Sequence, residues 1–309
     1  MATALPAPAP RKRGGLTLWE RRNLINGLLF TLPAIIGLIG FTIYPVLNAL
    51  YYSFTEYSVI EDPYWTGLEN YTLLFTKDDL FRKSLWNTFY YVGCSVPLQV
   101  IVAFLLALLL NLKVRGQAIY RTLFYLPSIM PVVATSMLWL WIYNPQYGIL
   151  NSLLGLVGIQ GPGWLNSPVW AMPSLILMSV WGVGGWVVIY LAGLQDVPTE
   201  MLEAAELDGA TSFQKLIHIT VPLMSPYILF HVINGLIFGF QYFTEVFIMT
   251  RGGPGTATTV YSMYLFQNAF QYFKMGYASA MAWIMFIIVV IATLVVFRSS
   301  AKRVYYAGG

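Results

Sequence analysis

Residues 203–226, EAAELDGATSFQKLIHITVPLMSP, form the most polar continuous segment of an otherwise apolar chain. The reading of this stretch decides what the rest can be. Pro198 followed by Thr199 marks a helix start with Thr199 as N-cap. Glu200 and Glu203 then fall in the first turn, where the helix dipole favours acids. Met201, Leu202, Ala205 and Leu207 offer one apolar strip, and Gly209 after Asp208 supplies a residue that takes the left-handed conformation and stops the helix. Thr211 and Gln214 have capping-box spacing and start a second short helix through Phe213, Leu216 and Ile217, with Pro222 and Pro226 marking the return to the apolar phase. The product is a helix–turn–helix with an acidic face, rigid at its turn. Such a piece suits a groove on another protein. An amphipathic connector resting on lipid headgroups is the alternative. Against it, Glu200, Glu203, Glu206 and Asp208 are repelled by anionic lipid, and Lys215 and His218 come only later.

Around this segment the composition is that of a membrane protein. The 309 residues are 58% hydrophobic and 10% charged, whereas soluble domains carry about 25% charged residues. A spanning helix needs about 20 mostly apolar residues. Six runs meet that need: Asn26 to Leu50, Ser84 to Asn111, Thr122 to Tyr143, Met172 to Leu194, Pro222 to Met249, and Met275 to Phe297. The fold class expected is therefore all-α, a polytopic bundle of six transmembrane helices with the short polar helix–turn–helix between the fourth and fifth. Residues 1–24 read as a tail whose PAPAP and RKRGG stretches cannot bury apolar surface and are expected to be disordered. Residues 25–83 hold the first span and an outer loop, 84–298 the transmembrane core with the polar loop at 196–222, and 299–309 a second tail. The first run is too long for a signal-peptide core and lacks a small-residue cleavage site, so it reads as a true helix.

Orientation follows from the basic residues, which are in excess in cytoplasmic loops. Arg11, Lys12, Arg13, Arg21, Arg22, Lys113, Arg115, Arg121, Lys215, Arg298, Lys302 and Arg303 lie on one side, making 12 of 17, against Lys77, Arg82, Lys83, Arg251 and Lys274 on the other. Both termini and the quoted stretch of this multi-pass protein are thus placed in the cytoplasm. The same distribution explains the net charge of +4 without a nucleic-acid partner.

Enzyme chemistry finds little to stand on. Cys94 is the only cysteine, which excludes an intrachain disulfide or a cysteine metal cluster. His218 and His231 have no second His or Cys at ligand spacing. No GxxxxGK[ST] loop is present, and the glycines of RGGPGTAT have no following Lys. No catalytic, cofactor-binding or metal residue is assigned.

A cavity is a better prospect. On a continuous fifth helix Asn234, Phe238, Gln241, Tyr242 and Glu245 fall within about 100° of one another, and polar groups at membrane depth face a bundle interior or a water-filled cavity. In the fourth span SVWGVGGWVVIY places Gly182 and Gly185 beside Trp181 and Trp186, leaving room next to a stacking surface. Aromatic faces and amide hydrogen bonds suit a sugar ring with apolar C–H faces and hydroxyl edges. The same glycines and polar groups also serve helix packing.

The quoted stretch resembles the cytoplasmic coupling loop of ABC importer permeases. Glu203, Ala204, Ala205, Gly209, Ile219 and Pro222 match position by position, with Val221 standing where Leu is usual. IYPVLNALYYSFTEY, GLENY at 67–71, NTFYY at 87–91, YLPSIMPVVATSMLWLWIYNPQYGILNSLL and TRGGPGTAT at 250–258 are similar to the first permease of carbohydrate importers of the maltose-transporter type. The resemblance implies a second homologous permease, two ATPase subunits that use ATP and Mg, and an extracytoplasmic solute-binding protein in a bacterial or archaeal membrane. It also implies docking of an ATPase on Glu203, Ala204, Ala205, Asp208 and Gly209, and alternating access driven from there. No Lys or Arg lies well inside a span, so the cargo expected is a neutral di- or oligosaccharide, stacked on Trp181, Phe238 or Tyr242 and bonded by Asn234 and Gln241. A six-helix channel or scaffold without ATP coupling would explain the spans, but not the acidic loop or the glycine motif.

In a Cys94→Ala background, single cysteines at Ser58 and Gln160 are expected to react with a membrane-impermeant thiol reagent on intact cells. A cysteine at Thr211 is expected to stay unlabelled, and its labelling from outside would reverse the orientation.

Overall fold

The computed structural model describes residues 18–112, 115–300 and Val304. Among these, Leu18–Ser53, Asp79–Asn111, Ser212–Phe240 and Met275–Ser300 are helices long and apolar enough to cross a membrane. Two further spans come only as bent pairs, Gln117–Ile129 with Val132–Ile142 and Ala171–Trp181 with Gly184–Gln195. Among the described residues the six apolar runs therefore correspond to four long helices, the fifth run going on past Phe240 into a separate short helix, Thr244–Met249, and two bent pairs. One antiparallel pair of two-residue strands, Thr55–Glu56 with Tyr64–Trp65, interrupts the helical fold.

The chain divides into two units, residues 1–51 and 52–309. The helix of the first starts at Leu18, well before Asn26, because Glu20, Arg21 and Arg22 continue it. Charge ends an apolar run, but straight-chain charged residues are good helix formers. The tail expected over 1–24 is thus helical from Leu18, and its earlier residues lie outside the described ones. Within this helix Ile39–Ile43 is a π turn, closed by the Tyr44 N–H on the Ile39 carbonyl, directly ahead of Pro45. Proline cannot donate to the carbonyl four residues back and its ring clashes there; the wider turn takes up the misfit.

In the second unit proline and glycine set the breaks. The third run bends by 101° at Met130–Pro131. Pro127 sits in a 3₁₀ turn, and Met130, ahead of Pro131, is extended with ψ 138°, the conformation forced on a residue before proline. Hydropathy does not register this, so the run from Thr122 to Tyr143 is not the single straight span that its apolarity suggests. The fourth run bends by 47° at Gly182–Val183. A Cβ on Gly184 would lie 2.3 Å from the Phe124 carbonyl oxygen, so this glycine lets the two broken spans touch. Gly182 and Gly185, the glycines singled out from the sequence, have open space or only ordinary contact around them.

The long second helix begins at Asp79, earlier than Ser84, because Asp78 caps it by accepting from the Phe81 N–H at 2.8 Å. Asp78 also takes the hydroxyls of Tyr264, at 2.6 Å, and of Tyr277. Burial first, then this bond, pushes the Tyr264 hydroxyl up to about 12, which keeps it a donor. Between helices in lipid there is little hydrophobic drive, so side chains that answer free backbone groups do much of the fastening. The Asn87 amide donates to the carbonyls of Thr256 and Thr259, and the Tyr261 N–H donates to Thr88 Oγ1. NTFYY thereby holds TRGGPGTAT in place. Asn70 of GLENY donates likewise to the carbonyls of Ser53 and Thr55. Aromatic and branched residues around Tyr91, Tyr143, Leu175 and Val260 fill the core beneath these ties.

Gly184→Ala is expected to cost about 1–3 kcal/mol, the usual range for overpacking, read as a lower unfolding temperature in detergent. Gly185→Ala should match wild type; equal behaviour of the two would contradict the close contact at Phe124.

Candidate functional site

The polar loop forms a turn held from both sides. Its first helix spans Thr199–Leu207, with Pro198 as N-cap and no side-chain cap. Thr199 is therefore the first helical residue and not the cap, because Pro198 already supplies the extended backbone, with ψ 124°. Gly209 has φ +80°. The N–H of Ala210 bonds the Ala205 carbonyl at 2.9 Å and that of Gly209 the Glu206 carbonyl at 3.0 Å, a Schellman closure that needs glycine at this place. Thr211 and Gln214 form the expected capping box.

Beyond it, however, no separate short helix exists. Ser212–Lys215 runs on through a π turn, Leu216–Thr220, into the fifth span. Pro222 falls in the first positions after that turn, where a missing N–H is tolerated, so it does not break the chain's course.

Across the turn Lys215 Nζ meets Glu206 Oε2 at 2.8 Å. The hydrogen bond and charge of Lys215 hold the Glu206 carboxyl below its usual range. Glu203 and Asp208 remain exposed, as does Ala204, while Ala205 is half-buried. The single apolar strip is not observed. Leu202 and Ala205 are half-buried, but Leu207, two residues past Ala205, points to the opposite side and is 90% exposed; Phe213 is 70% exposed. The turn thus presents two large apolar side chains among carboxylates. Behind it, the Tyr227 hydroxyl donates to Asp196 Oδ2 at 2.6 Å, and a Cβ on Gly193 would lie 2.7 Å from the Tyr227 ring. The end of the fourth span is clamped to the fifth at this level.

A cavity of about 220 Å³ lies among the second to fifth spans. Trp181, Gly182, Trp186, Phe238, Tyr242 and Glu245 line it, whereas Gly185, Asn234 and Gln241 do not. The helical wheel fails beyond Phe240, where the helix ends with Gln241 as its cap, and a new short helix starts at Thr244. Phe238, Tyr242 and Glu245 converge through that break. The Asn234 amide is spent on its own helix, donating to the Phe230 carbonyl at 2.8 Å, and Gln241 is exposed.

Two expected stacking faces are already occupied. Tyr242 stacks on Tyr91, with ring centres 4.0 Å apart and planes 14° apart. Trp186 stacks on His231 at 3.9 Å and 11°, and His231 Nδ1 shares a 2.8 Å bond with the Tyr190 hydroxyl. Phe238 and Trp181 carry no such parallel partner among the described residues.

The sequence reading missed the second span. Tyr91, Ser95 and Gln99 line the cavity from it. Their spacing of four residues is a polar stripe on one helical face, which the sequence does display. No Lys, Arg or His lines the cavity, and Glu245 is its one charged residue.

The glycine motif has a structural use. Arg251 at φ 51°, Gly252 at φ 88° and Gly255 at φ 59° turn the backbone, and the Gly253–Pro254 bond is cis. Thr258 Oγ1 donates to the Gly253 carbonyl at 2.7 Å and Thr259 Oγ1 to the Gly252 carbonyl at 3.1 Å. The hydroxyls close the loop on itself.

Residues 83–304 match the family model for the binding-protein-dependent transport system inner membrane component. The chain is 44% identical over 290 residues to the probable ABC transporter permease protein YesP of Bacillus subtilis, covering 93% of this chain and 94% of that one. It is 34% identical over 292 residues to the sulfoquinovosyl glycerol transport system permease protein SmoG of Agrobacterium fabrum, covering 94% of each. In three dimensions it is similar to a chain of a bacterial ABC transporter involved in the import of the acidic polysaccharide alginate, with a TM-score of 0.78, 25% identity, and coverage of 92% of this chain and 98% of that one. The chain therefore belongs to the binding-protein-dependent transport system inner membrane component family, as a multi-pass permease subunit of an ATP-driven importer and not itself an enzyme.

Proposed function

We propose that this permease forms half of the pathway for a neutral di- or oligosaccharide and works by alternating access. Its partners in this reading are a second, similar permease, two ATPase subunits that use ATP and Mg, and an extracytoplasmic solute-binding protein, with both termini cytoplasmic. One observation carries the reading. Ser212–Phe240 is a continuous rod of 29 residues, with the exposed turn at one end and the cavity-lining Phe238 at the other. At 1.5 Å per residue it spans about 43 Å. Closure of an ATPase pair on the turn would be carried along that rod to the cavity as a rigid-body displacement. Exposed Leu207 and Phe213, flanked by Glu203 and Asp208, give the turn the apolar knobs and acidic rim that a socket on a partner would need.

Support for a sugar comes from the names of the relatives and from a lining that mixes Trp181 and Phe238 with Ser95 and Gln99. An importer of an acidic polysaccharide shares this fold, so the fold does not set the charge of the cargo, and the neutral reading rests on the lining that this half contributes. A lining without a cation and with Glu245 gives an anion nothing to replace its hydration, at a cost of several kcal/mol.

Gly209→Val is expected to insert normally yet lower uptake and substrate-stimulated ATP hydrolysis about tenfold, since a β-branched residue at φ +80° costs about 1–3 kcal/mol. Glu203→Lys should act in the same direction by reversing charge on the docking face. Wild-type uptake by Gly209→Val would defeat the coupling role.

In proteoliposomes with the matching binding protein, neutral oligosaccharides should compete for uptake. Far better competition by a phosphorylated or uronic-acid saccharide would show the neutral assignment to be wrong, while leaving the coupling result untouched.

A further inference from the structure

A second cavity of about 220 Å³ lies away from the first, in the groove between residues 117–125 and 184–195. Its walls are Val187, Val188, Leu191 and Tyr125, its inner end reaches Gly184, and Arg121 is its one charged residue. The groove is polar at one end only. Arg121 lies there with Gln195, the last residue of the fourth-span helix, and with Leu110, near the end of the second.

Arg121 is poorly satisfied by the protein. Its Nε is buried without a hydrogen-bond partner among the described residues. Its Nη2 reaches the Leu110 carbonyl only at 3.4 Å, and Gln117 already donates to that oxygen at 2.7 Å. A guanidinium has five N–H donors and no acceptor, and a buried donor left unpaired is costly. An anionic oxygen would answer it with a charge-assisted, fork-shaped pair. Val188 and Tyr125, which line the groove, are themselves exposed, as surfaces facing acyl chains are.

We propose that this groove is a binding site for an anionic phospholipid, with the phosphate on Arg121 and an acyl chain along Val187, Val188 and Leu191. Apolar walls that lead away from a single cation at the end of the spans match that amphiphile. A free phosphate would use only one end of the groove, and a partner's carboxylate would leave its walls uncovered. The Lys and Arg distribution puts Arg121 at the cytoplasmic end, where basic pockets between helices meet acidic headgroups.

The test is photolabelling of the purified full-length chain in nanodiscs, using a phosphatidylglycerol that carries a diazirine in its acyl chain. Adducts are expected on peptides covering 117–125 and 184–195, competed by unlabelled phosphatidylglycerol but not by phosphatidylcholine or inorganic phosphate. Arg121→Gln should lower that labelling roughly fivefold, the worth of one basic residue near a membrane surface. Arg121→Lys should retain most of it, which separates loss of charge from loss of folding, and Arg115→Gln should leave it unchanged. Equal labelling by a phosphatidylcholine probe, competition by inorganic phosphate, or adducts confined to other segments would each overturn the proposal. So would a crosslink of Arg121 to a carboxylate of another subunit in the assembled transporter.

Discussion

Inside a bilayer each backbone N–H and C=O must find its partner within the protein, and the breaks of this chain are places where helical bonding stops and other groups must answer for it. Pro131 breaks the third span outright. Pro45 and Pro222 do not break theirs, and a π turn ahead of each widens the helix where the bond is missing, while Pro33, Pro97 and Pro226 sit inside helices without one. The same constraint explains the side-chain ties. Asn87, Asn70 and Thr88 serve backbone groups that breaks and turns have left open. Sequence stretches that look like signatures of a family, GLENY, NTFYY and TRGGPGTAT, are at this level devices for closing backbone bonds in the absence of water.

This constraint also decides what was legible in the sequence. Six apolar runs were readable because hydropathy needs only composition over about 20 residues. The Gly209 turn and the Thr211–Gln214 box were readable because each rests on local backbone chemistry that few residues supply. Continuity was not readable. Pro33, Pro97 and Pro226 lie inside unbroken helices while Pro131 ends one, and nothing in the neighbouring residues announces which will happen. The cavity suffered for the same reason: a wheel drawn through Gln241 and Glu245 assumed a helix that ends at Phe240. Asn234 could not be told apart from a cavity residue by type, since its amide is used within its own helix. Tyr91, Ser95 and Gln99 were visible as a stripe, but aromatic and small polar residues in a span are also ordinary packing.

The two parts of the functional region obey opposite demands. The turn must stay rigid while exposed, and it does so through local closure: a Schellman pair, a capping box, and Lys215 folded back on Glu206. An exposed ion pair of this kind contributes little stability. Its effect is to bind the two arms across Gly209 and to leave Glu200, Glu203 and Asp208 as exposed carboxylates without an ion pair among the described residues. The cavity, by contrast, has one wall from the unbroken second span and the others from segments that are broken near it.

Those breaks connect the two regions mechanically. Tyr227 on the fifth span holds Asp196 at the end of the fourth, so both spans share one anchor near the turn. A displacement applied at the turn enters both together. Along the fourth span it travels to the bend at Gly182–Val183, and along the fifth to the helix end at Phe240. Gly182 lines the cavity, as do Phe238 and Tyr242 on either side of Phe240. Straight helices would carry the motion past the cavity unchanged. In the alternating-access reading proposed above, helices that are stiff up to its edge and interrupted there would convert the same motion into a change of its lining.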